Sequence, residues 1–136
     1  MRKLSDFKGR WRMTRRIEQA EAGGTGVFDG VAVFTFVNAA LAYEEAGELR
    51  LPAQSGMAAT RRYLWRAAGD GVDVCFEDGS DFHHINLHEQ VATAWHECHP
   101  DRYEVSYNFT HWPDWRAIWR VVGPAKDYTM ITDYRR

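Results

Sequence analysis

The sequence predicts an all-β fold, a closed up-and-down antiparallel barrel of about ten strands with at most a short helical turn at its N-terminus. Three observations carry this. Apolar residues recur with period two in short segments from Gly9 to Arg135, and Gly, Pro, Asn and Asp punctuate them at even spacing. No helical pattern exceeds one turn. The chain of 136 residues holds six Trp, six Tyr and seven Phe, a load that suits strands or a cavity wall better than a helical bundle.

The length reads as one domain, 1–136, large enough to bury a core. A net charge of −2 argues against a nucleic-acid partner, which calls for a basic surface. No apolar run approaches the roughly 20 residues of a membrane span, and the opening MRKLSDFKGRW lacks the apolar core of a secretory signal. Two cysteines, Cys75 and Cys98, make no disulfide framework, so a soluble, cytoplasmic setting is expected.

Leu4 and Phe7, three apart, can sit on one helical turn and plug a barrel end. From Gly9 to Gln19, Trp11, Met13, Arg15 and Ile17 share the apolar face. Arg15 there either snorkels to water at the barrel mouth or serves as an anion-binding group inside. Residues 22–26 read as a turn. In Val27–Val37, Gly30 and Ala32 leave room for a backbone or a ligand, and the strand alone does not show which face looks inward. Leu41–Leu51 places Glu45 among Leu41, Tyr43 and Leu49, which makes it the natural counter-ion of Arg15.

Met57–Ala67 alternates Arg61, Tyr63 and Trp65 with Arg62, Leu64 and Arg66. Gly69-Asp70-Gly71 and Asp78-Gly79 close hairpins around Val72–Glu77 and into Phe82–Leu87. Val91–Cys98 and Tyr103–Phe109 flank a turn at His99–Arg102, which pairs Cys98 with Tyr103 and His96 with Val105. Trp115–Val122 follows a loop that carries Trp112. Lys126–Arg135 then sets Tyr128, Met130, Thr132 and Tyr134 on one face, with Arg136 in phase.

Four of the six histidines lie between Asp78 and Phe109. Face assignment puts His96 inward with Ala92, Ala94, Cys98, Val105 and Tyr107. It puts His83 inward with Ile85 and Leu87, leaving His84 outside; a slip of one residue would exchange His83 and His84. An inward histidine is often a satisfied core residue. His83, His96 and Cys98 could meet at a metal, yet no tight ligand clip of the C-x-x-C or H-x-x-x-H kind is present, and no metal is assigned.

The segments FKGRWRMTRRI, LAYEEAGEL, RRYLW, FEDGSDFHHI, HECHPDRYEVSY and WRVVGPAKDYTMITDYRR, with G-x-A-x-F at Gly30–Phe34, together resemble a bacterial family of unknown function, the one numbered 6314, over nearly the whole chain. The G-x-W opening and the L-x-Y-x-E-x-G-x-L segment are more loosely similar to calycin barrels: lipocalins, fatty-acid-binding proteins and nitrobindins. That resemblance implies a calycin-like barrel with an internal pocket. The fatty-acid-binding type clamps a carboxylate with Arg and Tyr near its C-terminus, which only Tyr134 and Arg136 could imitate here. Its helical lid has no counterpart in residues 21–26. Nitrobindins ligate haem through a histidine near the C-terminal end, whereas the last histidine here is His111, so haem does not carry over.

The expected function is binding of a small, partly apolar molecule inside the barrel, an anionic group on it being compatible with Arg15. Polar contacts would come from Arg15, Tyr43, Glu45, His83, His96, Tyr107, Tyr128 and Tyr134. No cofactor is specified, and the oligomeric state is open, a homodimer being compatible. Two alternatives stand beside this reading. One is an isomerase or hydrolase using His83 or His96 as general base near Arg15. The other is an interaction module with a filled interior and an exposed Trp112–Trp115 patch.

Overall fold

A computed structural model describes residues 2–20 and 24–136. It contains the strands β1 (Gly9–Gln19), β2 (Thr25–Val37), β3 (Ala40–Arg50), β4 (Met57–Ala68), β5 (Gly71–Phe76), β6 (Asp81–Asn86), β7 (Val91–Cys98), β8 (Asp101–Asn108), β9 (Trp115–Gly123) and β10 (Lys126–Arg135). Of the turn expected at residues 22–26, positions 22 and 23 lie outside the described residues. Every strand pairs antiparallel with its chain neighbour except β6 with β7, and β1 also pairs with β10. The order is therefore β6-β5-β4-β3-β2-β1-β10-β9-β8-β7. The two edge strands, β6 and β7, meet across a seam, and the result is the expected up-and-down barrel, nearly closed.

The alternation in sequence becomes alternation in burial. On β1, Trp11, Met13 and Arg15 are buried while Arg10, Arg12 and Arg16 are exposed. On β2 the inward face is that of Phe28, Ala32 and Phe34. Gly30 on β2 faces Gly47 on β3. A Cβ on Gly47 would stand 2.8 Å from the Phe28 ring and 2.7 Å from the Gly30 Cα. The room predicted at Gly30 is thus filled by Phe28, which lies across both glycines.

One end of the barrel is plugged by the 3-10 turn Leu4–Phe7, as Leu4 and Phe7 suggested. Phe7 is fully buried among the rings of Trp112, Trp65, Trp115 and Phe34, at centroid distances of 5.0, 5.2, 5.5 and 6.0 Å. Trp11 Nε1 donates to the Phe7 carbonyl at 2.9 Å, tying the plug to β1.

Four expectations need correction. The β7–β8 connection is the two-residue turn His99-Pro100, so Cys98 pairs with Asp101, His96 with Tyr103 and Ala94 with Val105. The slip is by two residues, which keeps every side chain on its expected face. Cys98, placed inward by that face pattern, is exposed because the strand has already passed the barrel rim. Trp115, offered as a surface patch with Trp112, is buried at 3% exposure and stacks on Tyr134 at 3.7 Å. Arg136 does not join Tyr134 in a carboxylate clamp. It lies 3.8 Å over the Trp11 ring and donates to the carbonyls of Lys8 (2.9 Å) and Asp6 (2.8 Å), holding the plug in place.

Candidate functional site

The polar centre of the interior is built on an ion pair that spans a strand. Arg15 on β1 and Glu45 on β3 both face inward, on either side of β2, and are 7% and 2% exposed. Arg15 Nη1 donates to Oε1 of Glu45 at 2.7 Å and Nη2 to Oε2 at 3.0 Å, a fork matched to a carboxylate. Its Nε donates to Thr132 Oγ1 at 2.8 Å, the residue opposite it on β10. Three of the five N–H groups of the buried guanidinium are thereby engaged, one on each nitrogen. Tyr43 donates its hydroxyl hydrogen to Oε2 of Glu45 and receives a hydrogen bond from the Tyr134 hydroxyl at 2.9 Å. Arg61 approaches the same carboxylate from the mouth, its Nε 3.6 Å from Oε1, with 44% of its side chain exposed.

Electrostatics follow from this geometry. Burial opposes ionisation of Glu45, but the hydrogen bonds and charge of Arg15 outweigh it and hold the carboxyl below its ordinary pKa. Burial also opposes the charge on Arg15, and Glu45 reverses that effect, so the guanidinium stays ionised. Burial raises Tyr43 well above its usual value and Tyr134 to about 12, so both phenols remain protonated donors.

His83 sits across the pocket from this pair. Its Nε2 shares a 2.9 Å hydrogen bond with the Tyr107 hydroxyl, and its ring stacks on Tyr107 at 5.7 Å. Burial, with smaller effects from His96 and His84, pushes it down to about 3, so the imidazole is neutral. Its Nδ1 is buried and has no partner among the described residues, which costs on the order of 1–3 kcal/mol if left unmatched. His84, by contrast, faces outward between Asp73 and Asp70 at 2.7 and 2.6 Å.

A void of about 30 Å³ lies between His83 and the ion pair, and a second of about 70 Å³ lies on the far side, beside Phe28 and Leu49. Arg15, Glu45 and Arg61 line both, so the ion pair partitions the interior. A surface hollow of about 570 Å³ outside shares Arg61 and Tyr63 with the inner void and marks its mouth.

Of the residues singled out in sequence, Arg15, Tyr43, Glu45, His83, Tyr107 and Tyr134 line the same inner void. His96 is half-buried and stands edge-on to the Phe82 ring at 5.1 Å; Tyr128 is half-buried on β10; neither lines that void. Three contributors were overlooked. Arg61 was legible, since it shares a period-two face with Tyr63 and Trp65. Thr132 was also in phase with Tyr134. Phe82 was not legible. The β5–β6 ladder slips from Val74↔His83 to Cys75↔Asp81, and this bulge lets Phe82 and His83, adjacent in sequence, both turn inward.

The fold is similar to that of the S-type phycobiliprotein lyase CPES from Guillardia theta, with a TM-score of 0.68 and 9% identity over 98% of this chain and 89% of that one. At that identity the likeness is one of architecture. No curated protein matches the sequence. Residues 7–136 match the family described as "Family of unknown function (DUF6314)". All ten strands and the interior ion pair fall within that match, and the chain belongs to this family.

Proposed function

We propose that the protein is a cytoplasmic small-molecule-binding barrel whose ligand enters at Arg61 and meets the hydrogen-bonding groups of the interior. The observation that carries this reading is His83: a neutral, buried imidazole with an unmatched Nδ1, beside a void lined by Tyr107, Tyr134 and the Arg15–Glu45 pair. Unmatched polar groups at the head of an aromatic pocket are what ligand recognition uses. Because Glu45 neutralises Arg15 in a two-hydrogen-bond fork, the second cation lining the void among the described residues, Arg61 at the mouth, is the more weakly paired one, 3.6 Å from the same carboxylate. The partner is a single small molecule, partly apolar and carrying a negative group. Both cysteines are unpaired, in keeping with a reducing compartment, and none of the described helices is long and apolar enough to cross a membrane.

A general-base role for His83 gains no support, since a base poised for catalysis titrates near the working pH, and burial holds this imidazole far below it. The rival reading is a structural module with a filled barrel, which the small inner void of about 30 Å³ favours. A melting-temperature screen of lipids, porphyrins and aromatic acids separates the two. A binding barrel is stabilised by at least one class in a concentration-dependent way; a filled module is stabilised by none.

A further inference from the structure

The Phe82 ring occupies a slot built from other aromatic rings. Phe76 stacks on one face at 4.4 Å and 20°, and Trp119 on the other at 5.1 Å and 17°. His83 and His96 stand perpendicular to it, at 4.6 and 5.1 Å. With Tyr63 at 5.6 Å and Tyr103 at 6.2 Å, six rings frame one flat occupant. The backbone at Phe82 has no ladder partner. Phe82 is the extra residue of the β5–β6 bulge, and β6 is an edge strand with no ladder to β7. Phe76 and Trp119 are both half-buried; Phe76 also lines the hollow at Arg61, and Trp119 lines the inner void, so the slot lies between the two.

Resting on the reading of the barrel as a ligand binder, we propose that this slot is the ligand site, and that Phe82 is its stand-in occupant. A flat aromatic carboxylate replaces the Phe82 ring between Phe76 and Trp119. Its carboxylate lies on Arg61, and a hydroxyl or amine at its far edge meets Nδ1 of His83. The small void is then no obstacle, because the space comes from the displaced ring. The slot selects for ring shape, since stacking rewards a planar π-face that an alkyl chain lacks. Arg61 selects for the anion because, among the described residues, its guanidinium forms an ion pair only with Glu45, and that at 3.6 Å.

The test uses three probes, 6-hydroxy-2-naphthoate, 2-naphthoate and decanoate, titrated into the full chain by calorimetry. The proposal expects the hydroxynaphthoate to bind at least tenfold tighter than decanoate and measurably tighter than 2-naphthoate. Phe82→Leu keeps the apolar bulk but not the flat ring, and is expected to raise hydroxynaphthoate affinity at least tenfold by removing the competing occupant. Arg61→Gln is expected to lower it by about tenfold. Equal affinities in the wild type and Phe82→Leu overturn the proposal, as does decanoate binding as well as the naphthoates. So does the absence of heat from every probe with both proteins. If the melting screen meanwhile finds a ligand whose binding ignores Phe82→Leu, the slot fails and the binding reading stands; if that screen is also silent, both fail.

Discussion

Arg15 and Glu45 are joined by two hydrogen bonds of 2.7 and 3.0 Å although their strands, β1 and β3, are not neighbours. The pair bridges over β2 at the place where Gly30 and Gly47 face each other and Phe28 lies flat across them, 5.4 Å below the guanidinium. Two glycines, one flat ring and one long side chain thus let charges from separate strands meet inside an aromatic barrel.

Removing one charge of this pair leaves the other buried and unmatched. Glu45→Gln is expected to lower stability by about 3–5 kcal/mol, whereas the double replacement Arg15→Met with Glu45→Leu recovers much of that loss. Urea midpoints of the three proteins check it. The pair also has a pH signature. Glu45 has a depressed folded pKa, so its contribution is present above the ordinary carboxylate range and is lost as pH falls through the folded value. The double variant lacks that acid-side loss.

The adjacent histidines His83 and His84 are expected to titrate in opposite directions. His83 is held down to about 3 in the folded protein, against about 6.5 unfolded. The unfolded chain binds the proton first, so stability falls as pH drops from about 6.5 toward 3, by up to about 1.4 kcal/mol per pH unit. The ring resonances of His83 should stay constant from pH 5 to 8, and His83→Gln should flatten that part of the stability curve.

His84 is raised, because the hydrogen bonds and charges of Asp70 and Asp73 outweigh its partial burial. Its contribution is present below the unfolded pKa and fades as pH rises through the folded one. Asp70→Asn or Asp73→Asn should move the His84 midpoint down in an NMR titration. The stability change should be small, since the three side chains are 40–50% exposed.

Arg136→Ala should release the plug without touching the proposed ligand site. It removes hydrogen bonds to Lys8 and Asp6 and the contact with Trp11, a loss of about 1–2 kcal/mol. Ligand affinity should not change; a C-terminal carboxylate clamp would predict the reverse.

The barrel was legible because period-two burial and turn residues repeat along the whole chain, and a misjudged turn at His99-Pro100 shifted the register by an even step that left the faces intact. The Arg15–Glu45 pair was legible for the same reason: two opposite charges, each among inward apolar residues. What escaped was whatever breaks the period. The bulge that turns Phe82 inward has no residue signature in Ser80-Asp81-Phe82, and the rim that exposes Cys98 is set by strand length and tilt. Arg136, in phase with Tyr134, instead folds back on the plug, where the Lys8 and Asp6 carbonyls and the Trp11 ring receive its guanidinium.

The most direct test of the barrel as a binding site reads the His83 ring itself. In a 15N-labelled sample, a compound that raises the melting temperature should shift the Nδ1 resonance of His83 and leave those of the outward-facing His84 and the exposed His88 and His111 in place. Stabilising compounds that move the surface histidines while Nδ1 of His83 stays fixed would contradict the account.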